Sequence, residues 1–346
     1  MKILFAAARN PHFPTITEYI ERAVRSLGHT LSSFDDRDFV LPGRVRETIP
    51  SLGRFDMVLL NRRLARAVRQ QHPDLLLCAG GERILPETVE AARATGARTA
   101  LWTIDRVKPC DPRMALAPHF DFVFCGGTEM IEALRGSMLR NGPHWLPFAC
   151  DPELHRPVDL SPDEKSSYGC DVAFVGSLHR ELYPNRIAML EALADFDLGA
   201  WGPGAQALPS SSPLHSKIRG DQVRFEDWTR IYNAAKVILC AHYGAPGPVC
   251  RQASPRVYEV LACGGFLLCD DQPDVRALFE DGRDLAIFRN LSELRQKARY
   301  YLDHHQERRE IASRGRGKVL TEHTYGHRVA ALIATVTGRK WETQPR

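Results

Sequence analysis

Short apolar runs alternate with longer amphipathic segments along most of the chain. Lys2 to Ala6 reads as a buried strand, Thr15 to Gly28 as a helix capped by Thr15 and stopped by Gly28, and Thr30 to Phe34 as a second strand. The pattern then repeats. A helix over Arg62 to Gln71 leads into a strand at Asp74 to Cys78, and a helix over Pro86 to Thr95 into a strand at Arg98 to Trp102. Strand Phe120 to Cys125 and helix Thr128 to Leu134 follow. Strands and helices alternating through short connections predict a parallel, doubly wound α/β sheet.

Residues 146–168 (LPFACDPELHRPVDLSPDEKSSY) break the rhythm with prolines, Asp and Ser and no periodicity, and read as a linker. The alternation restarts with strand Cys170 to Gly176, helix Asn185 to Asp195, strand Leu198 to Trp201, helix Glu226 to Ala235 and strand Lys236 to Cys240. In PRVYEVLACGGFLL (255–268), Val257, Val260 and Leu261 recur at helical spacing before Gly264-Gly265 and an apolar run. Ser- and Pro-rich residues 204–216 read as an exposed loop, Ser292 to Asp303 and Glu307 to Val319 as helices, and 323–336 as an amphipathic segment. A chain of 346 residues exceeds what one core comfortably serves. The expected division is therefore a first Rossmann-like domain over 1–150, a linker over 151–168, and a second over 169–322. Sheets of this kind bind ligands beyond the carboxyl ends of their strands, so two in tandem predict a cleft lined by the loops after the strands.

Composition narrows the function. Lys and Arg number 46 against 42 Asp and Glu, and the basic residues are scattered, which argues against a nucleic-acid surface and suits a basic pocket for a phosphorylated small molecule. The densest basic cluster, Arg308 to Lys318, lies on helical sequence and reads as a solvated face. Nine cysteines include no C-x-x-C pair, and Cys78, Cys125, Cys240, Cys263 and Cys269 sit in apolar runs. Buried thiols of this kind suit a reducing cytoplasm. No apolar run reaches the length of a membrane span; a peripheral membrane association stays open.

Two stretches could carry chemistry. The first is the loop GSLHRELYPNR at 176–186, where Gly176 permits close backbone approach and Ser177 and main-chain amides can donate to phosphate oxygens. His179, Arg180 and Arg186 supply positive charge nearby. The second is the helix at 255–262, where Arg256 and Glu259 stand three apart and so share a face. Alone they could form an ion pair on a solvated surface. Placed in a cleft, Arg256 can neutralise a diphosphate and Glu259 can accept from a ribose diol, with Gly264 and Gly265 admitting the ligand or simply ending the helix.

The blocks FVGSLHRELYPNR, EDWTRIYNAAKVIL, SPRVYEVLACGGFLLCDD, LFEDGRDLAIF and HTYGHRV occur in this order. Together they resemble the CgeB-type glycosyltransferases, a spore-maturation and cell-surface polysaccharide family with the GT-B fold, across most of 146–336. The resemblance implies two Rossmann-like domains facing a central cleft and a nucleotide-sugar donor (UDP-, GDP- or TDP-linked) held mainly by the C-terminal domain. It implies no obligatory metal and no tightly bound cofactor, and a C-terminal helix within 323–346 crossing back to the first domain. Glu259 matches the ribose-binding member of the paired-glutamate pattern, and Arg256 the basic position expected at the pyrophosphate. Seven residues before Glu259 stands Gln252, where that pattern has its other acid.

On the acceptor side, His12 in the loop ARNPHFP (8–14) and Asp105 after the strand ending at Trp102 are candidate general bases. Gly80-Gly81-Glu82 could line the acceptor pocket. Adjacent pairs such as Asp270-Asp271 and His304-His305 point apart, and no His or Cys spacing suggests a zinc site. The expectation is a cytoplasmic, metal-independent glycosyltransferase acting on a hydroxyl of a glycan, lipid or protein. A nucleotide-sugar epimerase on the same fold, or a non-catalytic nucleotide-sugar-binding protein, are the alternatives.

Overall fold

The computed structural model describes residues 1–105, 111–221, 223–242 and 250–339. The chain divides into two compact units, Met1–Pro147 together with the chain from Tyr325 onward, and Phe148–Thr324.

The first unit is built on β1 (Lys2–Ala7), α1 (Ile16–Ser26), β2 (Thr30–Asp35), α2 (Gly43–Thr48), α3 (Pro50–Gln71), β3 (Leu75–Ala79), α4 (Pro86–Ala94), β4 (Arg98–Thr103), α5 (Pro112–Leu116), β5 (Phe122–Cys125), α6 (Thr128–Ala133) and β6 (Pro143–Trp145), with a C-terminal helix, Tyr325–Thr337. All six strands are parallel, in the order β2-β1-β3-β4-β5-β6. The chain steps from β1 outward to β2, then back over β1 and on to β6. Right-handed crossovers therefore place α1 on one face and α3 and α4 on the other. Leu4, Leu64, Val68, Leu76, Val89 and Leu101 form the core on that second face. Thr15 starts α1 as expected: its amide and hydroxyl both donate to the Glu18 carboxylate, at 2.7 and 2.9 Å. The helix expected over Arg62 to Gln71 begins at Pro50, because Pro occupies its first turn and the exposed apolar residues that follow hide the period.

The second unit runs α7 (Pro162–Tyr168), β7 (Val172–Val175), α8 (Pro184–Glu191), β8 (Leu198–Trp201), β9 (Ile218–Gly220), α9 (Phe225–Ala234), β10 (Val237–Cys240), α10 (Pro255–Ala262), β11 (Leu267–Asp270), α11 (Pro273–Leu278), β12 (Ala286–Phe288), α12 (Leu291–Asp303) and α13 (His305–Glu322). Its sheet is again parallel, ordered β12-β11-β10-β7-β8-β9. Phe174, Leu190, Leu239, Leu268, Leu294 and Ala298 pack in one core beneath α8 and α12. The stretch read as a linker holds α7, started by a capping box in which Ser161 accepts from the Glu164 amide and Glu164 from that of Ser161. Residues 204–216 contain two short 3-10 turns, Ala205–Ala207 and Pro213–Lys217. The strand order reverses between β7 and β10, and that reversal opens a crevice at their carboxyl ends.

Candidate active site

Three segments of the second unit meet at the crevice: the loop after β7, the loop after β8 and the start of α10. Gly176 follows β7 with φ +154°, and a Cβ there would stand 2.6 Å from Nη2 of Arg256. Only glycine lets the guanidinium lie against this backbone. The β8 loop closes in from the other side. Gly176 donates its amide to the Trp201 carbonyl at 2.8 Å, and Leu178 donates to that of Pro203 at 2.7 Å. A Cβ on Gly202 would lie 2.1 Å from the Gly176 carbonyl oxygen.

Arg256 enters from the first turn of α10, whose N-cap Ser254 accepts from the Arg256 amide. Its Nε is buried and has no hydrogen-bond partner. Burial opposes its charge, but Tyr232, Cys240 and Glu259 beside it outweigh that and raise its pKa. One turn on, Glu259 is 8% exposed. Burial drives its pKa up to about 7, against the pull of Arg256. A positive charge at the end of a parallel sheet with an unused donor, beside a carboxyl poised near neutrality, suits an anionic ligand carrying hydroxyls.

The structure brings Gly176, Ser177 and Arg256 together, with Glu259 one helical turn behind Arg256. His179 and Arg180 continue the same loop: the His179 amide is 3.5 Å from the Ser177 hydroxyl, and Arg180 is exposed. Arg186, counted in the sequence as a nearby cation, is a buried clamp. It donates to the carbonyls of Ser177 (2.9 Å) and Ala241 (3.1 Å) and stacks over Tyr183, so it ties the β7 loop to the end of β10. Gly264 and Gly265 stand elsewhere, past the C-terminus of α10 and ahead of β11, at the opposite edge of the sheet from Gly176. Gly264 has φ +78° and Gly265 donates to the Val260 carbonyl, which is a helix C-cap and not a ligand gap.

In the first unit, His12 lies in the loop after β1 and Asp105 in the loop after β4, with β3 and its Gly80-Gly81 turn between these strands. Both are exposed. The His12 amide donates to the Asn10 side chain at 2.9 Å, and the Asp105 carbonyl accepts from Arg113 at 2.9 Å.

Sequence reasoning missed the glycines of the β8 loop and a buried cluster at the ends of β10 and β11. The signal for the first was present: Trp201-Gly-Pro-Gly204 follows an apolar strand. The second forms only in space. Cys240 and Cys269 are in register on neighbouring strands, and their sulfurs and a His242 ring nitrogen all lie within 4.8 Å. His242 Nε2 accepts from the Ser254 amide at 2.9 Å, so the ring proton sits on Nδ1 and donates to Asp270 Oδ1 at 2.6 Å. That nitrogen, the one facing the sulfurs, has no lone pair left for a metal in this tautomer. The cluster reads instead as a hydrogen-bonded support under the crevice. Beyond it a pocket of about 310 Å³ is walled by Asn185, Met189, His242, Asp270, Gln272 and Arg289. Neither Gly176 nor Arg256 lines it.

Residues 180–334 match a family model described as glycosyl transferase-like. The chain has the GT-B glycosyltransferase fold. Among solved structures, Anabaena HepE in complex with UDP is similar at 14% identity, with a TM-score of 0.68 over 98% of this chain and 100% of that one. HepE with UDP-glucose aligns at 12% identity and TM-score 0.67 over 98% and 100%. Sucrose-phosphate synthase from Thermosynechococcus elongatus aligns at 12% identity and TM-score 0.69 over 98% and 99%. No curated protein matches the chain significantly. A glycosyltransferase activity fits the GT-B fold and the matched family model together. No helix among the described residues is long and apolar enough to cross a membrane.

Proposed function

We propose that the protein transfers a sugar from a nucleoside diphosphate donor to a hydroxyl acceptor, with the donor held by the unit Phe148–Thr324. The observation that carries this reading is the half-buried Arg256, its guanidinium set against Gly176 and its buried Nε without a partner, at the point where the strand order reverses. A diphosphate there would accept from Arg256, from the Ser177 hydroxyl and from those main-chain amides of the 176–180 loop that are not already given to Trp201 and Pro203, with His179 and Arg180 adding positive charge. Glu259, ionised, would accept from the ribose diol. HepE, similar in fold, is described in complex with UDP and with UDP-glucose, and this supports a uridine nucleotide as the first donor to try.

The finer parts of the proposal rest on the sequence, the first three on the blocks quoted from it and the last on the place of two residues in the loops after β1 and β4. They are membership of the CgeB-type subgroup, chemistry that needs no metal ion, a glycan, lipid or protein acceptor, and deprotonation of that acceptor by His12 or Asp105 of the first unit. The buried thiols of Cys78, Cys125, Cys240, Cys263 and Cys269 support a reducing, cytoplasmic setting.

The test is a melting screen with UDP-, GDP-, ADP- and TDP-linked sugars. A donor at about a hundred times its Kd stabilises by about 2.7 kcal/mol, which for a unit of this size raises the melting temperature by roughly 5–10 °C. Arg256→Ala should abolish the shift. If no nucleotide sugar moves the wild-type transition, the donor site is wrong. Turnover that needs an added acceptor separates a transferase from an epimerase.

A further inference from the structure

The first unit carries a surface that its fold does not use. Among the described residues, five of the ten large apolar side chains standing well out in solvent, Val40, Val45, Ile49, Phe55 and Val58, fall within one short stretch. Phe55 and Val58 lie on the solvent face of α3, opposite the buried Leu60, Leu64 and Val68. Helical spacing continues that face through Arg62, Arg66 and Arg69. Arg44, Arg54, Arg62, Arg66 and Arg69 are all exposed, and none of them makes an ion pair among the described residues. The one exposed carboxylate on α2 and α3 is Glu47.

This is an ordered surface. Asp56, fully buried in α3, accepts from the amides of Val40 and Leu41 at 3.0 Å each and lies 3.5 Å from Arg46 Nε. Arg46 in turn covers the Phe39 ring at 3.9 Å, and Arg63 pairs with Asp38. These contacts pin residues 38–46 onto α3, so the apolar side chains are presented together. They follow β2 at the carboxyl edge of the sheet, the edge that also carries the His12 and Gly80-Gly81 loops.

We propose that the face formed by α2 and the solvent side of α3 docks on an anionic lipid bilayer. Val45, Ile49, Phe55 and Val58 would enter the interface, and Arg44, Arg54, Arg62, Arg66 and Arg69 would lie among acidic headgroups. Charge complementarity selects this occupant. Five unpaired arginines around an apolar centre match a surface that is negative outside and hydrocarbon beneath, whereas a nucleic-acid backbone would leave the aliphatic centre unused. The proposal stands on the first unit alone, whatever the donor site binds.

Cosedimentation of the full chain with vesicles tests it. The wild type should pellet with phosphatidylglycerol/phosphatidylcholine vesicles at low salt, be released at high salt, and stay in solution with phosphatidylcholine alone. Arg62→Ser with Arg66→Ser should weaken binding roughly fivefold per arginine, and Phe55→Ser with Val58→Ser about tenfold. Because all four side chains are exposed, the melting temperature should not change, which separates lost binding from lost folding. The idea is overturned if the wild type stays in solution with the acidic vesicles, or if either double variant binds as the wild type does. It is equally overturned if light scattering shows a dimer of the wild type that Phe55→Ser with Val58→Ser disperses.

Discussion

Glu259 offers the sharpest test of the site, because the same proton should move stability and donor affinity in opposite directions. Burial sets its pKa at about 7, above the value of about 4.3 for a free glutamate. The unfolded chain therefore gives up this proton first, and stability falls as pH rises between those two values by about 3 kcal/mol in all. Glu259→Gln, which keeps the shape of the protonated group, removes the loss. The melting temperature of the variant should rise relative to wild type by roughly 6–12 °C between about pH 4.5 and pH 8. Donor binding runs the other way if the ionised carboxylate accepts the ribose hydroxyls. Affinity then scales with the ionised fraction and drops roughly tenfold from about pH 8 to pH 6. The probe is the best nucleotide sugar from the melting screen, because a diphosphate esterified at both ends does not titrate over that interval. Calorimetric titration of wild type and Glu259→Gln at both pH values reads the effect. A wild-type affinity flat in pH, or a variant that keeps the wild-type pH dependence, removes Glu259 from the donor site.

Further expectations discriminate among neighbouring residues. Gly176→Ala sets a Cβ 2.6 Å from Arg256 Nη2 at φ +154°; it should cost about 1–3 kcal/mol and abolish nucleotide-induced stabilisation, and a variant that still responds would separate the β7 loop from the ligand. Gly264→Ala has space around it, its Cβ neighbours being 3.6 and 3.8 Å away. The positive φ alone should cost about 1–2 kcal/mol with donor affinity unchanged, whereas lost affinity would return this glycine to the site. Asp270 accepts from the amide and ring of His242 and from Gln272, and despite its burial those partners hold its pKa below the usual carboxylate value. Its contribution is present above the ordinary carboxylate range and is lost as pH falls through the depressed value. Asp270→Asn should thus cost about 1–3 kcal/mol at neutral pH, and urea unfolding should show the gap from wild type closing only on strong acidification.

The alternation of apolar strands and amphipathic helices was legible because each buried strand of a parallel sheet is a short continuous apolar run, as Leu75–Ala79 and Val237–Cys240 are. Arg256 and Gly176 were legible one at a time; their contact was not, since eighty residues separate them and only the return of β10 beside β7 brings them together. The same holds for His242, whose partner Asp270 lies on the next strand. Gly264-Gly265 misled because a glycine that ends a helix and one that admits a ligand are written alike. Conformation distinguishes them: Gly265 returns its amide to Val260, completing the cap, while Gly176 faces a guanidinium.

Helix α3 shows a different reason for failure. Apolar residues are expected on its buried face and polar ones outside, yet Asp56 and Asn61 are buried while Phe55 and Val58 are exposed. Each buried polar group has a definite task. Asp56 holds the amides of Val40 and Leu41, and Asn61 bonds the Met57 and Arg83 carbonyls, the Leu85 amide and the Thr88 hydroxyl. Their burial is satisfied locally and accounts for half of the inversion. Among the described residues nothing inside the unit accounts for the other half, because Phe55 and Val58 stand out in solvent. A local rule broken without an internal gain points to an external one. The arginines that continue the same face give that external partner its charge.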